Sequence, residues 1–125
     1  MDVMRLVDED FFANNYKYYE DSVGYSHDEI QLIKKYFIRG MLKLYAQLSD
    51  LCEFDSLVIH IDCGGHIDKY TITVSNEFTI KSQHEDPVEL KNIIDVIQYV
   101  HTLCEYIPLS YISKIVKNDE ELYRI

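Results

Sequence analysis

The sequence has no tryptophan, and its 125 residues include only two prolines, four glycines and three cysteines. So little glycine and proline excludes collagen-like and low-complexity chains. Three thiols cannot all pair within one chain, which favours reduced cysteines in the cytoplasm. No apolar run approaches the ~18 residues of a membrane-spanning helix, and the first residues lack the apolar core of a signal peptide. We therefore expect a single cytoplasmic globular domain over residues 1–125 that makes no membrane contact.

Basic residues are also scarce. The chain has 12 Lys and Arg against 22 Asp and Glu, which gives a net charge of −10 with histidine neutral. Direct binding of DNA or RNA needs clustered Lys and Arg, so we expect no direct nucleic-acid contact. An acidic protein can instead be steered towards a basic protein partner. The alternative is that this charge only keeps the protein in solution.

The common catalytic and cofactor motifs are missing. The sequence contains no phosphate-binding loop of the G-x-x-x-x-G-K-[ST] type, no G-x-G-x-x-G, no H-E-x-x-H and no G-x-S-x-G. Few glycines are available to form a loop around a phosphate. These absences favour a protein that is not an enzyme and that holds no cofactor and no metal.

Hydrophobic periodicity predicts two N-terminal helices. The first covers Asp8–Asp21, with aromatic residues three or four positions apart. Ser26 and Glu29 form a capping box that opens the second helix, which continues to about residue 53. Gly40 is a mild weakness inside this helix, because glycine is a poor helix former. The apolar stripe of the second helix consists of Ile30, Ile33, Phe37, Met41, Leu44, Leu48 and Leu51.

After the second helix the apolar period changes to two. Residues alternate over Leu57–Cys63, and Gly64-Gly65 predicts a hairpin turn because both residues can take a positive φ. Alternation resumes over Tyr70–Ser75, and Asn76-Glu77 predicts a second tight turn before Phe78–Lys81. The pattern predicts a three-stranded antiparallel β-meander with one apolar face and one polar face.

Two C-terminal helices complete the predicted order. The segment Asp86–Glu89 has the residue types of a helix start, and a wide apolar stripe over Leu90–Cys104 follows it. Pro108 ends this helix, a short helix follows over about residues 109–117, and residues 118–121 cap a last turn. The sequence thus predicts an α+β fold with two N-terminal helices, a three-stranded meander and two C-terminal helices packed on one sheet face.

The polar sheet face carries residue types that can bind a small ligand or a metal. A zinc site needs about four converging donors, but in a strand His60 and Asp62 share one face while Cys63 points to the other. Weaker enzyme alternatives are a Cys–His nucleophilic pair, either Cys63–His66 or Cys104–His101, and an acid–base pair of Asp62 with His60 or His66. The candidates on this face and beside it are His60, Asp62, Thr71, Thr73, Thr79 and His84.

The acids at helix ends are a more specific signal than the acids at helix starts. Acids at helix starts are explained by the helix dipole, whereas acids at helix C-termini cost up to ~1 kcal/mol each. A chain that keeps them can use their charge on a partner, although solvated and screened charges are the alternative. Tyrosines are enriched in interfaces. The predicted partner-binding residues are Tyr18, Tyr19, Glu20, Asp21, Asp50, Glu53 and Asp55.

In size, acidity and lack of catalytic motifs, the chain is similar to two groups of small inhibitors. One group is the phage anti-defence proteins, including anti-CRISPR and DNA-mimic proteins, and the other is the immunity proteins that neutralise nuclease toxins. This similarity covers the whole chain loosely and implies no role for any single residue. It implies a non-catalytic inhibitor that binds a basic nuclease or another nucleic-acid-binding protein, by charge mimicry or occlusion. An accessory or dimerising subunit that uses the open sheet face is a further alternative.

Overall fold

The computed structural model describes residues 26–106 and 110–125, in which two helices pack on one face of a six-stranded antiparallel sheet. The predicted helix Asp8–Asp21 and the predicted helix end at Pro108 lie outside the described residues. The strand order across the sheet is β4-β3-β2-β1-β5-β6. In chain order the elements are α1 (His27–Ser49), β1 (Leu57–Asp62), β2 (Ile67–Val74), β3 (Phe78–Ser82), β4 (Val88–Leu90), α2 (Ile93–Tyr106), β5 (Tyr111–Lys117) and β6 (Glu120–Arg124).

Helix α1 begins at the capping box that the sequence predicts. The Ser26 hydroxyl accepts a hydrogen bond from the Glu29 backbone N–H at 3.1 Å and donates one to Glu29 Oε1 at 3.0 Å. The predicted apolar stripe faces the sheet, and the helix ends at Ser49, before the predicted end at residue 53. Its buried side chains are Ile30, Phe37, Met41, Leu44 and Leu48.

Gly40 has a packing role that the sequence pattern does not reveal. A Cβ added at Gly40 would lie 2.9 Å from Ile112 Cβ and 3.1 Å from the Ile112 carbonyl oxygen. Real Cβ atoms do not approach one another this closely, so only a glycine lets α1 lie against β5 at this distance. Helix–sheet packing therefore requires a glycine at position 40, which the sequence pattern presents only as a weakness of the helix.

The three predicted strands are present as β1, β2 and β3, but the prediction of a three-stranded sheet is wrong. Gly64 and Gly65 have φ values of 76° and 101° in the β1–β2 turn, as their sequence predicts. The sheet continues beyond the meander on both sides. On one side, β4 pairs with β3. On the other side, β5 pairs with β1 and β6 pairs with β5.

The predicted short helix over residues 109–117 is also wrong, because Tyr111–Lys117 is strand β5. The register of β5 on β1 shifts at a bulge, where His60 pairs with Lys114 but Ile61 pairs with Ile112. The extra residue lets Ile112 and Ile115, three positions apart, both reach the core. Their spacing therefore resembles that of a helix although the chain is extended.

Two predicted helix boundaries belong to β-structure. Asn118 and Asp119 have φ values of 50° and 70° in the tight turn between β5 and β6, so residues 118–121 cap no helix. The predicted helix start at Asp86–Glu89 overlaps the short edge strand β4. Helix α2 begins later, where Asn92 Oδ1 accepts a hydrogen bond from the Asp95 N–H at 2.9 Å, as an N-cap does.

The core lies between the two helices and the inner sheet face. Each fully buried aliphatic side chain contributes roughly 1.5–3 kcal/mol of transfer free energy. The outer sheet face has no helix on it in the part of the chain that the structure describes. Neither described helix has the length and apolar content needed to cross a membrane. The buried strand residues are Leu57, Ile59, Ile61, Tyr70, Ile72, Ile80, Ile112, Ile115 and Tyr123, and α2 adds Val96, Ile97, Val100 and Cys104.

Candidate functional site

The loop between α1 and β1, residues 50–56, carries the described part of the predicted partner site. Asp50 is the C-cap residue of α1, and the last turn of this helix holds no basic residue that would balance it. Asp50 and Glu53 are both exposed. Negative charge therefore lies at the unfavourable end of the helix dipole, as the sequence predicts.

Phe54 is a prominent side chain of this loop, and the sequence analysis did not select it. Its side chain is 94% exposed, and its backbone has a φ of 76°. The left-handed conformation costs a residue with a Cβ roughly 1–2 kcal/mol. A ring this exposed gains little from burial in the fold, so Phe54 is a candidate contact residue. The available signal was a single aromatic residue between two acids in a predicted loop.

The carboxylate of Asp55 holds the loop in shape. Asp55 Oδ2 accepts a hydrogen bond from the Cys52 N–H at 2.9 Å, and Asp55 Oδ1 accepts one from Asn118 Nδ2 at 2.9 Å. Lys117 Nζ lies 3.8 Å from Asp55 Oδ2. The Asn118 amide, the Cys52 N–H and then Lys117 hold the pKa of Asp55 below its ordinary value.

Asn118 fixes the same loop a second time. Its Oδ1 accepts a hydrogen bond from the Ser56 N–H at 2.8 Å, and its own N–H donates to the Ser56 carbonyl at 2.9 Å. The loop is therefore anchored to the β5–β6 turn immediately after Phe54. This anchoring holds the backbone that carries the Phe54 ring in one place.

The predicted partner residues are thus only partly brought together. Asp50 and Glu53 precede Phe54 in the loop and are exposed, while Asp55, which follows it, has intramolecular partners. Their contact with another protein stays a prediction. The four residues predicted around the end of the first helix, Tyr18, Tyr19, Glu20 and Asp21, lie outside the described residues.

The polar sheet face brings together most of the predicted ligand residues. His60 on β1 lies directly between Lys69 on β2 and Lys114 on β5. Burial, followed by the charges of Lys69, Lys114 and Arg124, lowers the pKa of His60. Its imidazole is therefore neutral at pH 7. On the same face, Thr71, Thr73 and Thr79 follow the strand alternation.

Asp62, two residues after His60 on β1, lies on this face as well and lines one depression with His60. Asp62 Oδ1 accepts hydrogen bonds from the Gly64 and Gly65 N–H groups at 3.0 and 3.1 Å, which closes the β1–β2 turn. His84 follows β3 and lines a separate depression of about 100 Å³. Within residues 26–106 and 110–125, no three His, Cys, Asp or Glu side chains form a group that could hold a metal ion.

The Cys63–His66 pair does not have the geometry of a nucleophile and its base. Asp68 lies between them, with Oδ2 at 3.7 Å from the Cys63 thiol and Oδ1 at 2.9 Å from His66 Nε2. Burial and then the charge of Asp68 raise the pKa of Cys63 to about 11. An activated nucleophile needs a lowered pKa, so this thiol is an unreactive one.

The Cys104–His101 pair belongs to the core. Burial raises the pKa of Cys104 to about 12, and the His101 ring packs edge-on against Phe37 at 5.6 Å between centroids. Cys104 therefore behaves as a small apolar residue.

Comparisons of the chain with protein-family models, with curated proteins and with solved structures give no match.

Proposed function

We propose that this protein is a non-catalytic inhibitor that binds a basic, nucleic-acid-acting protein in the cytoplasm, with Phe54 as the anchor of the contact. The supporting observation is the almost fully exposed ring of Phe54, which an anchored loop presents between two acids. The three cysteines are free thiols, which suits a reducing compartment.

The energetics of the loop suit a contact in which charge brings the partners together and an aromatic ring holds them. Burying one aromatic side chain contributes roughly 1.5–3 kcal/mol, and aromatic anchors are frequent among interface hot spots. Asp50 and Glu53 are exposed at the end of α1, so a basic surface that contacts Phe54 would also contact them. Exposed charges of this kind raise the association rate more than they raise the lasting affinity.

A nucleic-acid-acting partner follows from the charge of the whole chain. A protein of net charge −10 is attracted to the basic grooves that bind phosphates. Acids at the end of α1 would occupy part of such a groove, and Phe54 would fill an apolar pocket beside it. Nucleic acid and the inhibitor would then compete for one surface.

The Phe54→Gly substitution tests the anchor without weakening the fold. Glycine adopts a φ of 76° readily, so the variant loses the ring and relieves the backbone strain. Leu32→Ala on α1 is the matched control, because Leu32 is also an exposed apolar residue, at 47%. The assay is capture of partners from a cell lysate with identification by mass spectrometry, followed by measurement of Kd for the purified partner.

We expect Phe54→Gly to weaken binding of the captured basic protein by about thirtyfold, the equivalent of about 2 kcal/mol, while Leu32→Ala leaves Kd unchanged. Added DNA should displace the wild-type protein, and the affinity should fall steeply with salt. An unchanged Kd for Phe54→Gly would exclude the anchor. An affinity that is insensitive to salt would exclude charge mimicry.

A further inference from the structure

The open sheet face carries a row of basic side chains in an otherwise acidic protein. Cross-strand pairing places His60 opposite Lys69 on one side and Lys114 on the other, and Lys114 lies opposite Arg124. The row therefore crosses four neighbouring strands, β2, β1, β5 and β6. Lys114 and Arg124 are like charges directly opposite one another, a pairing that destabilises a sheet unless an acid balances it.

Glu121 balances one end of the row, and Asp62, two residues after His60 on β1, lies near its centre. Arg124 Nη2 lies 2.6 Å and Lys114 Nζ lies 3.5 Å from Glu121 Oε1, so one carboxylate serves two cations. Lys69 is exposed and has no ion-pair partner within the described ranges of the chain. His60, between the two lysines, adds a neutral N–H donor. The row keeps a net positive charge, because its three cations, Lys69, Lys114 and Arg124, face the two carboxylates of Glu121 and Asp62.

A depression of about 390 Å³ opens beside His60 on this face. Its basic side consists of His60, Lys114 and Arg124, and its apolar side consists of Ile67, Tyr111 and Ile125. Asp62 and Ser113 complete the lining, and Lys69 lies next to the depression, opposite His60 on β2. Ile67 is 42% exposed and Ile125 is 41% exposed. The volume lies within the range of small-ligand sites, and the two sides suit a molecule with one anionic end and one apolar end.

We propose that this face binds a small organic phosphate, with the phosphate beside His60 between Lys69 and Lys114 and with the apolar part against Tyr111 and Ile67. A monophosphate has three terminal oxygens, which can accept from the two ammonium groups and the imidazole N–H together. A carboxylate has only two oxygens. Neighbouring strands are about 4.8 Å apart, so both lysine side chains can reach a group held over β1.

The test uses phenyl phosphate as the probe, because it combines a phosphate with an aromatic ring. Titration at low ionic strength is followed by the NMR signals of the His60 ring and of the backbone of β1, β2 and β5. Inorganic phosphate, benzoate and benzyl alcohol are titrated for comparison on the wild-type protein. The variant is Lys69→Met with Lys114→Met, and Lys91→Met is the control, since Lys91 is an exposed lysine outside the sheet.

We expect saturable shifts at His60 with phenyl phosphate and weaker binding of the other three probes. The double variant should weaken phenyl phosphate binding at least about tenfold, with Lys91→Met within twofold of the wild type. An equal Kd for the double variant and the wild type would overturn the proposal. Equal binding of benzoate would show that the face does not select a phosphate group. Much tighter binding of a single-stranded oligonucleotide would show that the ligand is nucleic acid and not a small molecule.

Discussion

For the substitution Gly40→Ala, helix propensity and the structure predict opposite changes in stability. Alanine is about 1 kcal/mol more favourable than glycine inside a helix, so helix propensity alone predicts a more stable protein. In the structure the added methyl group would lie 2.9 Å from Ile112 Cβ and 3.1 Å from the Ile112 carbonyl oxygen. Neither atom belongs to the flexible end of a side chain, so the backbone of β5 or α1 must move. Overpacking of this kind costs typically 1–3 kcal/mol.

Taking about 2 kcal/mol for the overpacking and about 1 kcal/mol for the gain in propensity, we expect Gly40→Ala to destabilise the protein by about 1 kcal/mol. For a chain of this size that corresponds to a fall in Tm of about 4 °C. Thermal and urea unfolding followed by far-ultraviolet circular dichroism measure both quantities. Ala46→Gly, at an exposed position of the same helix, measures the propensity difference by itself.

A rise in the free energy of unfolding of Gly40→Ala, equal in size to the loss measured for Ala46→Gly, would refute the reasoning. It would mean that α1 moves away from Ile112 without cost. A loss larger than about 2 kcal/mol would instead agree with a helix–sheet contact that cannot adjust.

Two further substitutions test the core and the loop. Tyr123 has a buried hydroxyl with no hydrogen-bond partner among residues 26–106 and 110–125, so Tyr123→Phe should raise the free energy of unfolding by about 1 kcal/mol. A clear loss of stability in urea unfolding would show that the hydroxyl is satisfied. Asp55 has a lowered pKa in the folded state, mainly through Asn118, so its ionised form stabilises the fold above the ordinary carboxyl pKa of 3.8, and this stabilisation disappears as the pH falls through the lower folded value. Asp55→Asn should therefore have a lower unfolding midpoint than the wild type at pH 7 and an equal one at the acid end, and a difference that does not change with pH would contradict this assignment.

The elements that the sequence predicts well are those whose signals are local. The capping box of α1 depends on Ser26 and Glu29, which are three residues apart, and the β1–β2 turn depends on two consecutive glycines. In both cases the residues that determine the conformation contact one another within a single turn. Such features can therefore be predicted from a short stretch of sequence without knowledge of the tertiary structure.

The C-terminal hairpin shows where local signals are ambiguous. Ile112 and Ile115 have helical spacing, and only the bulge in the pairing with β1 explains why a strand has it. A bulge depends on the partner strand, which lies more than fifty residues earlier in the chain. Asn118 and Asp119 suit both a helix start and a tight turn, and the strands on either side of them decide between the two.

The two candidate sites are also predictable only as far as their residues lie close together in the sequence. The acids at the end of α1 are predictable because they follow the helix directly. The position of Phe54 is not, because Asp55 and Asn118, which hold its loop, are 63 residues apart. The basic row requires the pairing of β5 and β6, whereas the residue pattern predicts a helix over residues 109–117. Both surfaces therefore depend on one hairpin: its turn anchors the loop of Phe54, and its strands supply Lys114 and Arg124. A variant that disrupts the β5–β6 turn should consequently impair both sites, whereas Phe54→Gly and the double lysine variant should each impair only one.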